Sequence, residues 1–121
     1  MRNKEEIELG HNIRLGLNGV LELWTSADEQ LDYQRNVPIA NVSAELFCQW
    51  CDDYYNEDNP IMLKEFSQIE LEVYKEFDKV ICDISDQIPE MTPPIEEFIN
   101  THEWNIVNKA AMSTLKKLGL R

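Results

Sequence analysis

Cys48-Gln49-Trp50-Cys51 is a C-x-x-C pair, followed at once by Asp52 and Asp53. That spacing is shared by thiol redox motifs and by one half of a zinc site. A redox pair works where a strand gives way to a helix start, because the positive end of the dipole lowers the thiol pKa. In this chain the pair falls inside an apolar helix pattern, and neighbouring carboxylates raise a thiol pKa. A zinc site needs two further ligands, and the chain offers Cys82, His11 and His102. The expectation is buried structural cysteines. The alternative is a metal-binding or thiol enzyme using Cys48, Cys51, Cys82 and His102.

His102-Glu103 begins like the H-E-x-x-H of a zinc protease, but Ile106 stands where the second histidine belongs. The simpler role for Glu103 is in the first turn of a helix, where its charge suits the dipole. Asp52/Asp53 and Glu96/Glu97 are adjacent carboxylates, which point in different directions on a helix and form no acid–base couple. There is no G-x-S-x-G, P-loop or G-x-G-x-x-G. The expectation is a protein without catalytic residues, metal or cofactor.

Asp52, Asp53, Tyr54, Tyr55, Glu57 and Asp58 form the densest polar and aromatic cluster of the chain. Tyrosine offers a large contact area and a polar tip, and acids around it steer a basic partner. The plain alternative is that Tyr54 completes a core stripe, Tyr55 covers its edge, and the acids solvate a helix end. The Tyr54-Tyr55 pair among acids locally resembles the immunity proteins of DNase colicins, small acidic helical proteins that block a basic nuclease. Asn56 follows the pair where that family has a proline. The resemblance implies that Tyr54 and Tyr55 anchor a partner while Asp52, Asp53, Glu57 and Asp58 supply charge.

The whole-chain charge points the same way. The 121 residues hold 23 acids against 11 Lys and Arg, a formal net charge of −12. A field of that sign repels phosphate backbones, so nucleic acid is not the expected partner, and it attracts cationic proteins. Residues 41–103 carry 16 acids and three lysines, whereas residues 104–121 carry four basic residues and no acid. The acidity belongs to the middle of the fold. No apolar run reaches the length of a signal peptide or membrane span, and three cysteines suit reduced thiols, so a cytoplasmic protein is expected. The function expected is a non-enzymatic acidic binding module, an immunity protein or antitoxin that neutralises a basic toxin or other cationic protein. A homo-oligomeric scaffold or regulatory subunit is a further alternative, and the oligomeric state is not legible.

The elements that must position these residues are helices. The length suits one domain over residues 1–121, all-α, with four to six helices. Residues 1–19 read as an irregular arm, with Asn18-Gly19 offering a small hairpin. Val20, Leu23, Trp24, Ala27, Leu31 and Gln34 make one stripe on a helix ending before Pro38, or Ser26 starts a shorter helix with Val20 to Trp24 as a strand. Ser43 caps a second helix whose Leu46, Phe47, Trp50 and Tyr54 share a side up to Asn59-Pro60. Ile61 to Phe66 bridge to the clearest capping box, Ser67 with Glu70. The helix it opens reaches about Gln87, with Ile69, Val73, Phe77, Val80, Ile81 and Ile84 inward. Pro89, Pro93 and Pro94 set a loop, Thr92-Pro93 restarts a helix bearing Ile95, Phe98 and Ile99, and Thr101 caps the last one. That helix shows Trp104, Val107, Ala110, Ala111, Met112, Leu115 and Leu118 inward and stops at Gly119.

Overall fold

A computed structural model describes residues 2–88 and 92–121; Pro89, expected in a loop, lies outside them. The described residues form seven α-helices and one π-helical turn, with no strand. All-α holds, but four to six helices was too few.

The largest correction is at the N-terminus. Residues 1–19 are not an irregular arm: α1 runs unbroken over Lys4–Trp24, straight through Asn18-Gly19. Asn3 caps it by accepting from the Glu6 N–H at 2.8 Å, and Glu5 and Glu6 suit its positive end. The hairpin signature failed because Asn18 serves a tertiary contact. Asn18 accepts a hydrogen bond from the Tyr74 hydroxyl, and Gly10 and Gly16 let other segments approach the helix closely. Val20 to Trp24 is the last turn of α1, with Leu17, Val20, Leu21 and Trp24 buried.

The helix stops at Thr25, whose hydroxyl turns back to the Glu22 carbonyl at 2.6 Å. Ser26 then caps α2 (Ala27–Asn36), so the alternative start is the one adopted. Gln30 is fully buried on α2 and satisfied at both ends: its amide donates to the Leu23 carbonyl and accepts from Trp104 Nε1, each at 2.9 Å. It joins the ends of three helices through one side chain.

α3 covers Val42–Cys48 and is capped by Asn41, which accepts from the Ala44 N–H at 3.1 Å; Ser43 lies inside the helix and is buried. The π-helical turn Gln49–Tyr54 continues it. α4 (Pro60–Glu65) starts with Asn59 as cap and Pro60 at its first position. α5 (Gln68–Gln87) opens with the expected capping box, Ser67 and Glu70 bonding reciprocally. Its buried stripe is Tyr74, Phe77, Ile81 and Ile84; Ile69, expected inward, is 74% exposed. α6 (Ile95–Phe98) begins after Pro94, two residues later than the Thr92-Pro93 signal implied.

α7 (His102–Lys117) has Thr101 as cap and closes at Gly119, the one described residue with positive φ (77°). Thr114 replaces Met112 on its inner face, since the hydroxyl satisfies itself on the Ala110 carbonyl at 2.8 Å.

One core joins these elements. Trp24, Phe47 and Phe98 meet at one end, with centroids 5.3 to 6.3 Å apart. Trp50 packs on Phe77 and Tyr74 at the other, and Phe66 on Tyr74. Each such ring contributes about 1.5–3 kcal/mol through burial. No helix among the described residues is long and apolar enough to cross a membrane.

Candidate functional site

The acidic cluster sits where α3 changes winding. The Tyr55 N–H bonds to the Trp50 carbonyl at 2.9 Å, five residues back. In an α-helix Tyr54 would have stayed on the inner side with Phe47 and Trp50. The wider turn rotates the residues after it, so Tyr55 comes to lie flat on Trp50, centroids 5.4 Å apart and planes 12° from parallel. Tyr54 is left 37% exposed, with its ring over Gly16 of α1. The core stripe expected through Tyr54 therefore passes to Tyr55.

Trp50 holds this turn in place. Its indole is fully buried and Nε1 donates to Asp78 Oδ1 of α5 at 3.1 Å. The same oxygen receives the Cys82 thiol at 3.7 Å. Asp78 thus fixes the turn to α5 with a charge-assisted bond, which a neutral acceptor would make less strongly. Burial, followed by the charges of Asp78 and Glu57, raises the Tyr55 phenol above its usual range, and it stays neutral.

The six residues of the cluster are not one patch. Asp52 and Asp53 lie close enough to Cys48 to raise its thiol pKa, after burial. Tyr54 faces α1. Tyr55, Glu57 and Asp58 turn the other way and line a groove of about 390 Å³ with Met62, Leu63 and Leu71. Asp52, Asp53, Tyr54, Glu57 and Asp58 are all exposed, and none of the acids forms an ion pair among the described residues.

The cysteines are less buried than their sequence context implied. Cys48 and Cys51 are exposed as residues and Cys82 is half-buried. Cys51 and Cys82 come together on α5's flank, and burial of the Cys51 sulfur, then Cys82 and Asp78, pushes that thiol up to about 12. Cys82 is raised by burial and by Asp78. Such thiols hold their protons at neutral pH and are poor nucleophiles. His102 stands apart at the exposed start of α7. No group of three or more His, Cys, Asp or Glu side chains gathers in metal-binding geometry among the described residues.

Sequence reasoning missed the α5 wall. Glu72, Lys75, Glu76, Lys79 and Asp83 read as an ordinary solvated face, yet they border a second concavity of about 580 Å³. Glu57, Glu72 and Lys75 line both concavities, which therefore lie side by side along α5. The only available signal was the excess of acids in the middle of the chain. Comparison with protein-family models, with curated proteins and with solved structures found no match to this chain.

Proposed function

We propose that this protein is a non-enzymatic acidic binding module that neutralises or regulates a basic protein, an immunity protein or antitoxin against a cationic toxin being the concrete form. The observation that carries this reading is the exposed run Asp52, Asp53, Glu57 and Asp58 around Tyr54 and Tyr55, charged and without internal ion pairs among the described residues. Unpaired exposed carboxylates raise the encounter rate with cations, and tyrosines beside them supply contact area. The raised thiol pKa values favour this reading over a thiol nucleophile acting at neutral pH.

The test is capture from native lysate at low salt. The immobilised protein is compared with a variant carrying Asp52→Asn, Asp53→Asn, Glu57→Gln and Asp58→Asn. The expected result is a basic protein held by the wild type, released by salt and not held by the variant. Recovery of no basic protein, or equal recovery by both, overturns the reading.

A further inference from the structure

We propose that the groove between Tyr55 and α5 is an arginine seat, which takes an arginine side chain of the partner on the free face of the Tyr55 ring. This deepens the binding reading above and rests on it. Trp50 stacks on one face of Tyr55, and Tyr55 is also part of the groove's lining. The stack on a fully buried indole, itself held by Asp78, keeps the ring in one orientation before any partner arrives. A guanidinium is planar, weakly hydrated and suited to stacking on such a ring while its N–H groups meet carboxylates side by side.

The carboxylates are placed for that geometry. Glu57, Asp58 and Glu72 all line the same concavity as Tyr55. Glu76, further along, is already paired with Lys117 at 2.9 Å. Among the described residues Lys75 and Lys79 are the cations that line the two concavities, so acids outnumber bases there. The apolar floor of Met62, Leu63 and Leu71 selects an apolar residue near the arginine, on the same side of the partner segment. Leu63 is half exposed and has apolar surface to cover. The occupant is thus a cationic, amphipathic segment bearing arginine. Tyr54 is not part of this groove's lining; its ring lies over Gly16 of α1.

The probe is a fluorescent amphipathic arginine–leucine peptide, with its lysine–leucine analogue as control, titrated into the full-length protein at low salt. Arginine should bind roughly fivefold tighter than lysine, because only the guanidinium both stacks and forks. Tyr55→Leu and the pair Glu57→Gln with Glu72→Gln should each weaken the arginine peptide at least about fivefold and abolish that preference. Tyr55→Phe keeps the stack and should retain both, which separates loss of the seat from loss of fold. Glu96→Gln with Glu97→Gln removes the same charge at exposed positions outside the cluster and should leave the preference intact. Equal affinity for the two peptides, or equal weakening by the two charge pairs, overturns the seat. If the lysate capture nonetheless yields a basic partner that the groove variants still hold, the seat falls and the binding reading stands.

Discussion

Gly16 and Gly19 lie three residues apart on the same helix and have opposite reasons to exist. A Cβ added at Gly16 would fall within the ring of Tyr54, whereas one added at Gly19 would meet nothing. Glycine in a helix interior costs about 1 kcal/mol relative to alanine. Gly19→Ala should therefore stabilise the protein by about 0.5–1 kcal/mol. Gly16→Ala gains the same propensity but forces the Tyr54 ring off α1, and the lost packing should exceed the gain, with a net loss of about 1 kcal/mol. Urea denaturation of the two variants gives the signs. In a Tyr54→Ala background the sign at Gly16 should reverse, and a destabilisation that persisted there would show that Tyr54 is not what the glycine accommodates.

At the scale of elements, Arg14 of α1 ties together α4 and the start of α5. Arg14 donates to Glu65 at 2.7 Å and to Glu70 at 2.5 Å, and its guanidinium lies 4.5 Å from the centre of the Phe66 ring. Arg2 adds a second bond to Glu65 at 2.8 Å. Burial alone would raise the Glu65 pKa, but the bonds from Arg2 and Arg14 outweigh it and the net direction is down from 4.5. Glu70 is lowered by its bond from Arg14, against burial. Groups lowered on folding bind protons more weakly in the native state, so their stabilisation is full above about pH 4.5 and disappears as pH falls through the lowered values. Arg14→Met should cost about 1–3 kcal/mol at neutral pH and shrink the stability difference between neutral and acid. Urea midpoints measured from pH 7 to pH 3 check it; an acid limb as steep as that of the wild type would show that the latch does not contribute.

For the whole molecule the controlling quantity is the net charge of −12. Like charges confined to one compact surface repel, and that repulsion lowers stability until salt screens it. The exposed ion pairs, such as Lys117–Glu76 and Arg121–Glu22, are weakened by the same salt but contribute little. Repulsion should dominate. Raising salt from a dilute buffer to about 0.15 M, where the Debye length is about 8 Å, should raise the thermal midpoint by about 2–4 °C. Calorimetry decides, and a midpoint that stays constant or falls would mean that internal pairs outweigh the repulsion. The same screening should weaken the proposed partner, so the protein would be most stable where it binds least.

The helices whose ends carry their own chemistry were legible from the chain alone. Ser67 with Glu70, Ser26, and Thr101 all state a helix start through groups within four residues, and the structure uses each of them. The acid excess of the middle region was legible too, because charge is a property of composition. What only the tertiary structure decided involves partners distant in the chain. Asn18-Gly19 reads as a turn, and becomes mid-helix because Tyr74 bonds Asn18 and α1 is packed by α2, α4, α7 and the π-helical turn. The inward tyrosine is Tyr55 rather than Tyr54 because the turn at Gln49–Tyr54 widens to a five-residue bond, with Trp50 held by Asp78, 28 positions away. Local spacing assumes one helical period throughout. A single change of winding moves every side chain after it, and only the core it must meet determines where that change falls.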